Sequence, residues 1–269
     1  MLRESNWWLQ AFLISIACSM LIQASYALER YKRGETVDGG ISYTIGLEFE
    51  QGDYGTGDST DVWRIPFGAD YRNGQFLAGL YIPYLMVEGE GNITISTKRM
   101  RTIVSSSSSS ESGIGDLKLY AGYLFPAKGI PNATYHAIGY IKVPTADEDK
   151  GLGTGEYDYA LEGGMLFKYQ RAFIYTNLGY EINGDPANID YDNVFYASVS
   201  ATFHQENRHQ LGVELAYAQA ATPGYDDAME LTGFMNVPLE KKRSLYLYVM
   251  LGLTDGSPDV GVGGDYRFE

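Results

Sequence analysis

The sequence predicts an all-β fold: an antiparallel transmembrane β-barrel of about twelve strands behind an N-terminal signal peptide. Three observations predict it. Apolar and polar residues alternate with period two in segment after segment from residue 41 onward. The connections between those segments alternate between long and short. Residues 1–27 combine a positive start, an apolar run and a small-x-small end.

Composition favours strands over helices. The chain has 23 Tyr, 11 Phe and 32 Gly in 269 residues. Aromatic side chains suit a pleated surface, and Gly suits turns and tight barrel walls. Mean hydropathy is -0.21. A helical membrane protein needs apolar runs of about 20 residues, and only the N-terminus approaches one. The net charge of -14 argues against a nucleic-acid partner, because phosphate binding needs a basic face. That charge fits a soluble protein and a barrel with acidic loops equally well.

The N-terminal segment reads as a secretory signal. Arg3 supplies the charge, Leu9 to Ile22 the apolar run, and Ser25-Tyr26-Ala27 the cleavage pattern. A membrane anchor fits less well, because the run is short and ends in that pattern. A lipoprotein reading at Cys18 is weaker still, since Ser15 stands where the lipobox carries Leu. Cleavage after Ala27 leaves no cysteine, since Cys18 is the only one. That excludes a disulfide framework, a thiolate nucleophile and a zinc–thiolate site. His136, His204 and His209 are too scattered to suggest a metal cluster, and no cofactor is expected. Residues 28–40 form a short periplasmic lead-in, and 41–269 form the barrel.

Twelve strands follow from the alternation: 41–50, 61–71, 75–87, 115–125, 133–143, 157–168, 172–182, 193–204, 209–218, 228–239, 244–253 and 258–268. In the first, Ile41, Tyr43, Ile45, Leu47 and Phe49 alternate with Ser42, Thr44, Gly46, Glu48 and Glu50. Connections 51–60, 88–114, 144–156, 183–192 and 219–227 are long and the others are short, so the alternation holds until the last connection, 254–257. Outer-membrane barrels have this asymmetry, with short periplasmic turns and longer external loops. The even strand count puts both termini in the periplasm, and 88–114 and 144–156 become the main external loops. A soluble sandwich has little reason to segregate its long loops to one end.

The two faces of the strands predict what meets lipid and what lines the lumen. Aromatics recur near strand ends, as at Phe49, Trp63, Tyr71, Phe76, Tyr84, Phe125, Tyr157, Phe167, Phe203, Tyr266 and Phe268, where they suit interfacial girdles. The inward phase carries Glu48, Arg64, Asp70, Asp116, Lys118, His136, Lys142, Asp158, Glu162, Lys168, Glu181, Glu214, Glu230, Asp265 and Arg267. Tyr81, Tyr120, Tyr140, Tyr196, Tyr246 and Tyr248 share it. Of these, Arg64, Asp116, Lys118, Tyr120, Tyr140, Lys142, Asp158, Glu162, Tyr196, Glu214, Glu230, Tyr246, Tyr248 and Arg267 are the candidate lumen-lining residues. Mixed charges inside a barrel either form a packed salt-bridge network or line a wet pore. Twelve strands lie between the filled eight-stranded and the open sixteen-stranded barrels.

One segment carries a family signature. Lys142-Val143-Pro144-Thr145-Ala146-Asp147-Glu148-Asp149-Lys150-Gly151-Leu152-Gly153-Thr154-Gly155 leads into Glu156-Tyr157-Asp158. It resembles the Lys-x-Pro-Thr-Gly-Asp…Lys-Gly-Leu-Gly-Thr-Gly…Asp signature of the outer-membrane family named for the meta-pathway of phenol degradation. Ser112-Gly113-Ile114-Gly115-Asp116-Leu117-Lys118-Leu119 is similar to that family's Gly-Asp-Leu strand entry. Ala146 stands where the family has Gly. The resemblance covers residues 41–269, and it implies a channel or transporter for small hydrophobic, often aromatic, compounds. It marks Pro144, Thr145, Asp147, Lys150, Gly151, Gly153, Thr154 and Gly155 as the motif loop. Read from the residues, the motif is a strand, an external loop and a second strand, with Pro144 ending the ladder. Lys142 and Asp158 share the inward phase near one end of neighbouring strands, which suits an ion pair.

Other chemistry fits poorly. No helix follows the Gly-x-Gly-x-Gly run, so it is no dinucleotide site, and Asp147, Glu148 and Asp149 lack the spacing of a calcium loop. There is no Gly-x-Ser-x-Gly, which leaves a barrel hydrolase as a minor alternative to a channel. A closed structural barrel is the main alternative. The Ser105–Ser110 run, behind Lys98, Arg99 and Arg101, reads as flexible and disordered. Expected partners are outer-membrane lipid and lipopolysaccharide, the barrel assembly machinery, which recognises a terminal aromatic such as Phe268, and a small hydrophobic solute. N-terminal sequencing of the exported protein should begin at Leu28, and a mature chain retaining residues 1–27 contradicts the signal-peptide assignment.

Overall fold

A computed structural model describes residues 39–269 except 55–56, 90, 98–99, 107–109, 187–189, 206–208 and 241. The expected signal peptide, 1–27, and most of the expected lead-in, 28–40, lie outside the described residues. The strands are β1 (Gly40–Gly52), β2 (Thr60–Asn73), β3 (Phe76–Glu88), β4 (Gly91–Thr97), β5 (Met100–Ser106), β6 (Ser110–Ile114), β7 (Leu117–Pro126) and β8 (Ala133–Val143). They continue as β9 (Asp158–Tyr169), β10 (Ala172–Ile182), β11 (Val194–His204), β12 (Gln210–Ala218), β13 (Ala228–Leu239), β14 (Arg243–Gly252) and β15 (Val260–Phe268). Every pairing is antiparallel, and β1 closes on β15 in a register from Tyr43–Phe268 to Gln51–Val260.

The closed barrel has twelve staves, because β6 and β7 both pair with β3 and together make one. The register passes from Tyr81–Lys118 to Tyr84–Ile114, so this stave holds one extra residue, a bulge at Gly115–Asp116. There the Gly115 amide donates to the Pro83 carbonyl at 2.8 Å. All twelve expected strands are present, with ends shifted by a few residues at most.

The structure corrects the expectation for 88–114. That stretch is not a plain loop: β4 and β5 form a two-stranded sheet of their own, and β6 prolongs the wall. Ser105 and Ser106 lie in β5 and Ser110 opens β6, so these serines are not a flexible, disordered run; residues 107–109 lie outside the described residues. Backbone pairing needs no particular side chain, and the β-branched residues Ile93, Ile95, Ile103 and Val104 of the hairpin favour strands.

Alternation sorts the side chains as the period-two pattern predicts. Ile45, Leu47, Leu80, Leu161, Leu178, Val199, Val213, Leu215, Leu231 and Val249 face outward as an exposed apolar belt. At the turn end the belt is bordered by Tyr71, Phe76, Phe125, Tyr135, Phe203 and Phe268, and at the loop end by Tyr84, Tyr157, Tyr159 and Tyr180. This is the profile of a barrel seated in a bilayer. Inside, four aromatic rings lie over a glycine on the adjacent strand. Tyr120 stands opposite Gly79, Tyr196 opposite Gly179, Phe234 opposite Gly212 and Tyr248 opposite Gly263. A Cβ at any of these glycines would overlap the ring, so the missing side chain is what lets the ring lie flat against the wall.

Leu215 pairs with Val199 and Leu231 at the middle of the belt. Leu215→Arg should lower the stability of the bilayer-inserted barrel by about 2–4 kcal/mol in equilibrium denaturation. An unchanged midpoint would contradict a lipid-facing belt.

Candidate functional site

The inner wall is organised as paired charges. Toward the loop end, Arg64 donates from Nε to Glu48 Oε2 at 2.8 Å, and its terminal nitrogen pairs with Glu50. All three are buried. A buried guanidinium is tolerable only when carboxylates neutralise it and occupy its donors. Glu48 stands opposite Arg64 and Glu50 opposite Val62, so two carboxylates from one strand bracket one arginine. Glu50 shares the inward phase in the sequence, yet only the strand register reveals that Arg64 is its partner.

A second group lies where β7, β8 and β9 meet. Lys142 stands directly opposite Asp158 and pairs with it, lies 3.7 Å from Asp116 and donates to Thr154 Oγ1 at 3.1 Å. Lys118 stands opposite Lys142 and is equally buried. Toward the turn end, Asp70 accepts from the Tyr120 hydroxyl and lies 3.2 Å from Arg267, which also donates to Ser42. His136 stacks on Tyr175 at 5.0 Å. Its Nε2 lies 2.9 Å from Asn177 Oδ1, 3.1 Å from the Tyr175 hydroxyl and 3.5 Å from Glu162.

Most of the candidate lumen residues come together inside. Arg64, Asp116, Lys118, Tyr120, Tyr140, Lys142, Asp158, Glu162, Glu214, Tyr246, Tyr248 and Arg267 are buried, while Tyr196 and Glu230 are half-buried. Tyr120 and Tyr140 lie 6.0 Å apart between ring centres, and Tyr246 lies 5.7 Å from Phe234. Packing is tight: Arg64, Lys118, Lys142 and Tyr246 each keep 1% of their surface exposed.

The motif loop 144–156 builds the outer mouth. Asp116 Oδ1 accepts the amides of Thr145 and Ala146, each at 3.1 Å. The Thr145 hydroxyl donates to the Gly115 carbonyl at 3.0 Å and accepts the Leu117 amide at 2.8 Å. The two halves of the signature therefore bind each other, at the bulge in the wall. A 3-10 turn, Glu148–Lys150, ends on Gly151 in the left-handed region, with φ 67°. The chain then dips inward, so that Gly151, Leu152, Gly153 and Thr154 are buried, whereas Asp147 and Lys150 stay exposed. Leu152 has no exposed surface. It packs with Tyr54, Val62, Leu85 and Val87, and Ala146 packs against the group. Burial, and after it the nearby Glu50, pushes the Tyr54 phenol well above its ordinary pKa, which keeps it neutral. An apolar group thus borders the Arg64 charge cluster at the mouth, with Leu85 opposite Arg64 and Val62 opposite Glu50. Tyr54 and Leu152 escape a sequence search for lumen residues because both belong to loops, where period two gives no facing.

Comparison with known proteins places this arrangement. No curated protein matches the chain. Among solved structures, an outer-membrane channel from Pseudomonas putida F1 superposes with a TM-score of 0.67 at 15% identity, covering 86% of this chain and 95% of that one. The monoaromatic hydrocarbon channel CymD gives 0.50 at 11% identity, with 97% and 94% covered. The β domain of the Bordetella autotransporter BrkA also gives 0.50, at 15% identity, with 86% and 98% covered. At such identities the likeness is one of fold, that of outer-membrane barrels. The family signature described as "Putative MetA-pathway of phenol degradation" matches residues 33–264. It spans the barrel wall apart from Asp265–Phe268 at the end of β15, and the chain belongs to that family.

Proposed function

We infer that this protein is an outer-membrane channel that admits small hydrophobic compounds, aromatic ones above all. The observation that carries the reading is the inward set of tyrosines. Tyr81, Tyr120, Tyr140, Tyr246 and Tyr248 are all buried on the inner wall of a barrel whose outer surface is apolar. A ring passing such a wall exchanges one aromatic contact for another, each worth about 0.5–1.5 kcal/mol. Contacts of that size favour entry without trapping the solute. Membership of a phenol-degradation family and the fold shared with a monoaromatic hydrocarbon channel support the same reading. The chain reaches the outer membrane behind a cleaved signal peptide, meets lipid and lipopolysaccharide with its belt, and presents β15 to the assembly machinery. It is read as a channel and not as an enzyme: His136 is engaged by Asn177 and Tyr175, and His204 by Gln210.

The tight interior favours a second reading, a closed structural barrel. One pair of measurements separates the two. Planar-bilayer recording on the refolded protein should show conductance. Gram-negative cells carrying the protein should take up a labelled monocyclic aromatic faster than cells lacking it. Absence of both rejects transport. Tyr140→Ala, which opens the buried cluster around Tyr120, should raise conductance and reduce the preference for aromatic over linear solutes by about 2–10-fold, the equivalent of one lost ring contact. An unaltered preference removes the tyrosines from selectivity.

A further inference from the structure

We propose that the apolar pocket at the outer mouth is the entry site for the solute, and that Leu152 of the motif loop occupies it as a built-in plug which the solute displaces. This rests on the channel reading above and adds to it a location, a gate and a ligand chemistry.

Three observations carry the proposal. First, the pocket is out of place among its neighbours. Val62, Leu85 and Val87 occupy inward positions near the loop ends of β2 and β3: Leu85 stands opposite the buried Arg64, and the Val62–Val87 pair lies one inward position nearer the mouth, level with Glu50. The inner wall is mainly polar, charged or tyrosine, and of its few apolar clusters this one sits beside the Arg64 charges at the mouth, where it suits an apolar ligand. Second, its occupant comes from a loop and not from the wall. Leu152 lies between the left-handed glycines Gly151 and Gly155, with φ 67° and 74°. Its side chain rests over Gly113 of β6, where any Cβ would displace it. The loop is tied on both flanks, by Asp116 to Thr145 and Ala146 and by Lys142 to Thr154. The segment between those ties can swing out while its stems hold.

Third, the pocket contains hydroxyls that Leu152 leaves unsatisfied. Tyr54 is 3% exposed and its hydroxyl has no hydrogen-bond partner among the described residues. The same holds for Thr60 Oγ1, one inward position above Val62. A buried polar atom without a partner is costly. A leucine cannot relieve that cost, whereas a small ring bearing one hydroxyl can. The ligand class is therefore a monocyclic aromatic with a single hydrogen-bonding group, of which phenol is the simplest.

Competition between Leu152 and solute gives a test that does not depend on transport. The thiol of Leu152→Cys, in the full-length protein exported to the outer membrane, is titrated with a membrane-impermeant maleimide. Asp149→Cys, on the exposed part of the same loop, is the reference. The plug predicts labelling at least about tenfold slower than the reference, which corresponds to about 1.4 kcal/mol of loop closure. It also predicts acceleration by phenol and no acceleration by glucose. Labelling as fast as the reference, or indifferent to phenol, overturns the proposal. Tyr54→Phe, added to Leu152→Cys, should weaken the response to phenol and spare the response to toluene; equal loss of both overturns the assignment of the hydroxyl. The pair Leu152→Cys and Val62→Cys should form a disulfide that stops aromatic uptake until it is reduced. If uptake persists through the oxidised form, the plug fails and the channel stands. If the wild type shows neither uptake nor conductance while labelling still answers to phenol, the channel reading fails and the site stands.

Discussion

A strand that ends inside hydrocarbon has nowhere to place its backbone N–H and C=O groups, and the pairing of β1 with β15 is what removes that cost. With this last seam closed, each of the twelve staves has a neighbour on both sides, and only the short β6 extension beyond the bulge pairs on one side, with β3. Closure also fixes the inside and the outside, because period-two alternation becomes meaningful only once the sheet encloses a volume. From that point the apolar phase must face outward, and every charge on the other phase is committed to the interior.

Charges committed to an interior must find partners there. Arg64 with Glu48 and Glu50, Lys142 with Asp116 and Asp158, and Arg267 with Asp70 are the result. Each joins residues from adjacent or near-adjacent staves, so the pairs also report that the strands are in register. A slip of one residue in any seam would turn these groups toward lipid. Glycine and aromatic positions carry the same information in another form. A ring opposite Gly79, Gly179, Gly212 or Gly263 fits only in the register observed, since a one-residue shift would bring it against a side chain.

The motif loop draws on the same network. Asp116 belongs to the bulge that splits β6 from β7, and it serves two tasks at once: it caps the Thr145–Ala146 turn and lies near Lys142. The loop is therefore held by the charge cluster beneath it and not by the wall alone. Ala146, which stands where the family has glycine, places its methyl against the Leu152 group. That methyl adds to the packing of the mouth, and the Ala146 amide still donates to Asp116.

The sequence by itself determined the barrel, its strand count, the side of the wall on which each strand residue lies, and the end that carries the long loops. All of these depend on local periodicity and spacing, which the chain displays without folding. It also marked the motif segment, through the order of Lys142, Pro144, Thr145 and the glycines. The tertiary structure decided what the side chains meet. The Glu50–Arg64 pair depends on strand register, and the bond from Tyr120 to Asp70 depends on a glycine lying between them on β3. The β4–β5 hairpin escaped because its short strands sit beside a serine run whose composition points to disorder, while pairing is a property of two segments together. Tyr54 and Leu152 escaped for a different reason. Loops have no period, so only the folded chain shows that two residues from separate external loops close over one apolar pocket at the mouth of a charged barrel.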